Sequence, residues 1–373
     1  FPSSPNDTYT DPSTRPTRIL TMSGDHDEET KKVQVTLDDG SLVTYGMRGL
    51  REDEIDSWAE FCASVFSYKA HPPPPSYFAR HYHNDPLREA NLIRVMFTQE
   101  GEMVSSCRVF VKQISTGSSS SVEAGGIGEV CTHVQHRRRG LSKILLQNAM
   151  EIMRWRKSIK VSLLHAAPTF FPVYERGGNY QCTTSQWSLV PVLVDQLTPN
   201  SRHVRVPNFG EPRFGPIDTP RLQEIHREYS EKRFVGCILR SQEYWRDYLA
   251  KELEGSMRVL LVKNRPAAWI SIRPRGNGRF QLREFGCEIR VVSTATAMCQ
   301  LLADVLGAES SNVTLHLPTA VLQECKGADF FQWETVQEEN DMGWMYRTLQ
   351  DDGPSMVDLS KTIPHLIWPA DSF

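Results

Sequence analysis

The string Arg137-Arg-Arg-Gly140 constrains this chain more than any other stretch. It stands between a strand-like run, Gly126-Ile-Gly-Glu-Val-Cys-Thr132, and a helical one in which Leu141, Ile144, Leu145, Ala149 and Ile152 recur at helical spacing. A glycine turn that ends a strand and opens a helix gathers free backbone N–H groups and the positive end of the helix dipole at one point. Three arginines, with Lys143 one turn on, add full charges there, and Gly140 removes a side chain where an anion must approach the backbone. The pattern predicts a pyrophosphate site over Arg137 to Ser142, against the competing reading of a solvated basic helix start.

At 373 residues the chain exceeds a single compact domain of roughly 150 residues, so two domains are expected. Its charge is balanced, with a net of -3, which gives no global pull toward nucleic acid or a membrane surface. The basic feature is local. Eight cysteines stand singly, at 62, 107, 131, 182, 237, 287, 299 and 325, with no Cys-x-x-Cys and no zinc spacing. Reduced thiols in a cytoplasmic compartment and no metal site are therefore expected. No apolar run reaches the roughly 20 residues of a membrane span. The chain opens on Phe1, as expected of a trimmed N-terminus, so whether a targeting segment preceded it stays open.

Residues 1–32, rich in Pro, Ser, Thr, Asp and Glu, read as a flexible tail. A first unit is expected over 33–198, opening with a hairpin that turns at Asp38-Asp39-Gly40. A helix follows with Ile55, Trp58, Phe61, Cys62 and Val65 on one face, then His71-Pro-Pro-Pro-Pro75 as an extended connector. His81 and His83 lie two apart without further ligands nearby, too little for a metal site. Strands are expected at Leu92 to Phe97 and Met103 to Ile114, a Gly/Ser loop over Thr116 to Ser121, and a strand at Ile159 to Leu164. Trp187 to Val194 would end the unit, and 199–220 reads as a Pro/Arg-rich linker. The second unit, 221–350, repeats the order of strands and helix but lacks the basic glycine turn before Thr294 to Leu306. Asp341 to Leu349 would close it, leaving 351–373 as a C-terminal tail.

Arg137-x-x-Gly140-x-Ser142 resembles the Arg/Gln-x-x-Gly-x-Gly/Ala acetyl-CoA signature of the GNAT N-acetyltransferase superfamily, with serine at the last position. Gln135-His-Arg-Arg-Arg-Gly-Leu141 is closer still to the tandem-domain "enhanced intracellular survival" (Eis-like) acetyltransferases. The resemblance implies an α/β fold, an α+β mixed sheet in tandem GNAT-like domains, the second a degenerate copy without a cofactor site. That family continues into a third, sterol-carrier-like domain. Only 24 residues follow Leu349 here, so this domain is expected to be absent.

The resemblance also implies acetyl-CoA as co-substrate and an amine as acceptor, a small molecule or a lysine, in a possible homo-oligomer. Main-chain groups of Val130 and Thr132 would bond the pantetheine arm, and Arg137, Arg138, Arg139, Gly140 and Ser142 would hold the pyrophosphate. Tyr174, in Tyr174-Glu-Arg-Gly-Gly178, falls where the superfamily places the acid that protonates the leaving thiolate. For the base, Glu129, His133 and the carboxylate of Phe373 all stay open. A CoA-binding sensor or interaction module without catalysis is the alternative function.

Overall fold

The computed structural model describes residues 30–68, 71–197, 204–205, 219–306 and 312–371. Residues 1–29 of the expected tail, most of the 199–220 linker and the Phe373 carboxylate lie outside these residues, while Lys31 and Lys32, expected in the tail, already belong to the first strand.

In chain order, β1 (Lys31–Thr36) and β2 (Leu42–Gly49) pair antiparallel about the Asp-Gly turn. In α1 (Ile55–Val65) Ile55, Trp58, Ala59, Cys62 and Val65 are buried along one face. The proline run ends differently from its expected extended form. Pro74 is the N-cap and Pro75 the first residue of α2 (Pro75–His83), because the first turn of a helix has no use for the N–H that proline lacks. β3 (Ile93–Phe97), β4 (Met103–Gly117) and β5 (Ser120–Thr132) form an antiparallel meander. The expected Gly/Ser loop is only the hairpin tip between β4 and β5, where Ser118 and Ser119 both take positive φ, 51° and 69°. α3 (Leu141–Trp155) then crosses to β6 (Ile159–His165), which runs parallel to β5. Gly125 lets this helix sit close, since a Cβ there would collide with Met153 Sδ.

After α4 (Phe171–Gly178), β7 (Gln181–Cys182) belongs to the first sheet, whereas β8 (Trp187–Val192) does not. The second half supplies β9 (Val204–Arg205), α5 (Thr219–His226), β10 (Val235–Ile238) and a π-helical run Tyr244–Leu249 continued by α6 (Ala250–Glu252). Next come β11 (Met257–Val262), β12 (Arg265–Gly276), β13 (Arg279–Cys287), α7 (Thr294–Leu306) and β14 (Val313–Pro318). The chain closes with α8 (Thr319–Glu324), β15 (Gln337–Glu338), β16 (Trp344–Thr348) and α9 (Met356–Leu359).

The first sheet runs β1-β2-β3-β4-β5-β6-β16-β7, with β10 on the far part of β4, and the second β15-β8-β14-β13-β12-β11-β9. The plan of β3-β4-β5-α3-β6 recurs in β11-β12-β13-α7-β14, each with one parallel pair bridged by a helix. The fold is thus two GNAT-like mixed α/β units, as expected. Their closing strands are exchanged, which corrects the expected bounds. β8 pairs along its whole length with β14 of the second sheet, and β16 pairs with β6 and β7 of the first. Local pattern gives a strand its periodicity but not its partner, so the exchange is silent in sequence.

Residues 351–371 are not a tail either. Leu366, Ile367, Trp368 and Ala370 are buried, and the Asp371 carboxylate takes Arg240 Nε at 3.0 Å and Nη2 at 2.6 Å in the second unit's interior. The same Arg240 bonds Glu284, so a buried cation faces two carboxylates and pins this segment in place.

Candidate active site

β5 and β6 stay paired only from Glu123↔Ile159 to Ile127↔Leu164. Beyond Ile127 the two parallel strands part, and β5 goes on alone beside β4. There the register slips, from Arg108↔Gly128 to Ser106↔Cys131, so Glu129 and Val130 together face Cys107. This is a β-bulge, and Glu129 carries it at φ 43°, a left-handed conformation costly for a residue with a side chain. Past the bulge His133 N–H bonds Val104 C=O at 2.9 Å, so by alternation Thr132 turns its own backbone groups to the open side. Its carbonyl takes Arg137 Nε at 3.1 Å.

The basic turn follows directly. Arg138 and Gly140 have φ of 62° and 75°, Gly140 is the N-cap of α3, and Ile144 N–H returns to its carbonyl at 3.1 Å. The N–H groups of Leu141, Ser142 and Lys143 in the first turn have no helical acceptor. A Cβ on Gly140 would meet nothing within 4 Å, so glycine is needed here for its φ and leaves the approach to the backbone open. The three arginines have different surroundings. Arg137 and Arg138 are exposed, and Arg138 has no side-chain partner among the described residues. Arg139 is committed to structure, with Nη1 donating to Tyr45 Oη at 2.6 Å and Nη2 to Gln135 C=O at 2.8 Å. It braces the turn against β2. The cradle fits a pyrophosphate: an anion would meet first-turn N–H groups, two exposed guanidinium groups and no side chain at Gly140.

On one side of the bulge lies a buried charged cluster. Glu129 Oε1 is 3.9 Å from Arg108 Nη1, and Arg108 Nη2 is 3.6 Å from Asp85, which Lys112 approaches to 3.0 Å. Burial pushes the Glu129 carboxyl above the usual carboxylate range, against the pull of Arg108 and His81, with Asp85 adding to the rise. Glu129 Oε2, Arg108 Nη1 and His81 Nε2 are buried polar atoms without a hydrogen-bond partner among the described residues. All three are polar groups whose burial no hydrogen bond among the described residues offsets. The second unit closes this side: Glu252 Oε2 lies 3.6 Å from His81 Nε2 and 3.5 Å from Arg80, and Tyr248 packs 5.7 Å from the His81 ring.

Tyr174 comes from α4, on the face of the sheet that α3 covers. Burial, with a smaller push from Cys107, raises its phenol well above the ordinary value, so it is protonated throughout the neutral range. Its hydroxyl makes no hydrogen bond among the described residues. Cys107, the residue that faces the bulge, is within electrostatic reach of both Glu129 and Tyr174. His133 is set elsewhere. Its ring lies 6.0 Å from that of His136 at the basic turn.

The sequence pattern passed over Arg108 and the role of His81. A charged residue in the middle of Val104-Ser-Ser-Cys-Arg-Val-Phe-Val111 was the available signal, since such a residue is buried only with partners. No group of three or more metal-ligating side chains occurs among the described residues. No helix among them is long and apolar enough to cross a membrane. Two cavities of about 290 and 310 Å³ lie away from this site, one around Arg347 and Ser355 and one around Thr296 and Asp329.

A parallel strand pair thus parts beside a bulge, with a glycine-capped basic turn at its end. Residues 46–182 match the family model described as "Acetyltransferase (GNAT) domain", and they are such a domain. The first unit is thus an acetyltransferase domain of GNAT type. It is similar in fold to a GCN5-related N-acetyltransferase from Anabaena variabilis, at 13% identity and TM-score 0.59 over 82% of this chain and 73% of that one. A GCN5-related N-acetyltransferase from Kribbella flavida gives 17% identity and TM-score 0.56 over 82% and 71%. Eis1 from Mycobacterium abscessus gives 14% and 0.55 over 82% and 73%, in line with the Eis-like resemblance. No curated protein matches the sequence itself.

Proposed function

We propose that the chain moves an acetyl group from acetyl-CoA to a primary amine by direct attack. The observation that carries this reading is the left-handed, glycine-capped basic turn at the start of α3, where β5 has already left β6. Acetyl-CoA would be held by Val130 and Thr132 along its arm and by Arg137, Arg138, Gly140 and Ser142 at its pyrophosphate, with Arg139 bracing the turn. It supplies the activated acyl group.

The chain's own residues manage protons. Glu129, ionised above its raised pKa, takes a proton from the ammonium form of the acceptor, so that a nitrogen lone pair is free to form the new C–N bond. Tyr174, protonated because it is buried, returns a proton to the sulfur as the C–S bond breaks. The acceptor nitrogen loses two protons in all and the sulfur gains one, so one is released to solvent per turnover. The second unit has no basic glycine turn before α7 and on this reading serves only to wall the acceptor side. All eight cysteines are free, which supports a reducing, cytoplasm-like compartment.

The test is release of CoA from acetyl-CoA in the presence of polyamines, aminoglycosides and lysine peptides, read beside CoA binding by calorimetry. Turnover with any amine supports transfer. Tight binding without turnover on any of them would make the chain a CoA-binding module instead.

A further inference from the structure

Behind Glu252, the second-unit carboxylate that faces His81, stand β12 and β13, whose Arg283 bonds it. Ile272 and Leu282 face each other in the register and enter the core, so Arg273 and Gln281, the next pair along, lie on the opposite face. Gln281 Oε1 accepts from both Arg273 Nε at 2.9 Å and Nη2 at 2.7 Å, which fixes the guanidinium and leaves Nη1 with no partner among the described residues. The register slips on either side of this pair, and the extra residue is an arginine each time, Arg275 on β12 and Arg283 on β13. Three like charges thus crowd one patch of sheet. The nearby carboxylate, Glu252, is already taken, since Arg283 bonds it and Arg80 and His81 stand against it. Burial and its two arginine neighbours bring the half-buried Arg273 down to about 10.

Tyr77 joins this patch to the base. Its phenol is pushed up to about 12 by burial, with Glu129 and Glu252 raising it further and Arg80 and Arg273 opposing. It therefore stands within electrostatic reach of both Glu129 and Arg273. A fixed, partly desolvated guanidinium among like charges is a poor arrangement for stability and a good one for an incoming anion.

We propose that Arg273 is the anion-binding residue of the acceptor site, and that the acceptor is an amine that also bears a carboxylate or phosphate, with its nitrogen at Glu129 and its anionic end at Arg273. This rests on the acyl-transfer reading and adds a substrate class to it. A charge-assisted bond of this kind is worth about 1.5 to 3 kcal/mol, roughly tenfold or more in kcat/KM.

The test compares acceptors that differ only in the anion: ornithine against putrescine, lysine against cadaverine, and glucosamine 6-phosphate against glucosamine. The expected result is a preference of about tenfold or more for at least one anionic member, carboxylate and phosphate being told apart by which pair shows it. In Arg273→Gln the ratio should fall toward one through a raised KM, and in Arg273→Glu it should invert, with CoA affinity and melting temperature kept. Equal rates within all three pairs, or a wild-type ratio in Arg273→Glu, overturns the assignment while leaving acyl transfer standing. A loss of CoA affinity in Arg273→Gln would assign this arginine to the donor and overturn it as well. Failure of every acceptor, charged or not, with CoA still bound would remove the acyl-transfer reading and this one with it.

Discussion

Glu129 sits in a place that works against its own charge, and the consequence can be followed with pH. Burial holds its pKa above the unfolded value, so the unfolded chain gives up this proton at lower pH than the folded one. Its contribution to stability is whole below the unfolded pKa and is lost as pH rises through the folded pKa. Glu129→Gln should therefore match the wild type in acid and become the more stable of the two as pH rises, checked by denaturant melts at about pH 4 and about pH 8. Activity should move the other way: the acid limb of kcat/KM lies above the usual carboxylate range in the wild type and vanishes with the low rate of the Gln variant. Tyr174→Phe removes one hydroxyl from a packed ring, and kcat should drop by roughly 10²-fold or more while CoA affinity and Tm hold, since an acid and not a contact is lost. A Phe variant that turns over normally would leave water as the acid. In the sequence it is the family resemblance, not spacing, that points to Glu129 and Tyr174. The cluster around Glu129 could not be picked out there, because Arg108 comes from β4 and His81 and Asp85 from α2 and the turn after it, and only packing joins them.

At the scale of elements, the strand, turn and helix from Ser120 to Trp155 were legible because every signal in them is local: alternation, a glycine, a basic run, a helical stripe. What was not legible is how the elements bend. The bulge at Glu129 depends on β4 offering one residue, Cys107, against two, and nothing in β5 alone announces it. The turn itself gives a prediction that separates its arginines. Arg138→Glu should weaken CoA binding about tenfold or more at unchanged Tm, because this side chain has only solvent to lose. Arg139→Ala should lower both affinity and Tm, because it also gives up Tyr45 and the Gln135 carbonyl. Calorimetry and thermal melts on the two variants check the distinction, and identical behaviour would mean that the turn is not braced as described. Gly140→Ala, at φ 75°, should cost about 1 kcal/mol or more of stability from backbone alone, since the space around it is open.

For the whole molecule, the order of strands within each unit was readable, but the partners of β8 and β16 and the burial of the last residues were not. Leu366-Ile-Trp368 is a short apolar run among prolines and polar residues, and only the second unit's interior shows where it goes. These three features bear on how the protein unfolds. The first sheet is incomplete without β16, the second without β8, and the segment from Pro364 to Asp371 lies across both: Val235 bonds its start, Trp368 fills the core of the second sheet and Asp371 meets Arg240. Neither half can keep its native sheet once the other has lost its own, so the two sheets should unfold together. Denaturant unfolding followed by tryptophan fluorescence and by far-ultraviolet dichroism should give one coincident transition, and chains cut at 197 or begun at 219 should not fold alone. Asp371→Ala should shift that single transition by about 3 to 5 kcal/mol, the usual cost of leaving a buried ion pair half broken. It should do so without splitting the curve, although the residue touches only the second unit. Two separated transitions, or a melt in which Asp371→Ala unfolds the second sheet while the first keeps its signal, would mean that the exchanged strands are held loosely and that the units are thermodynamically independent.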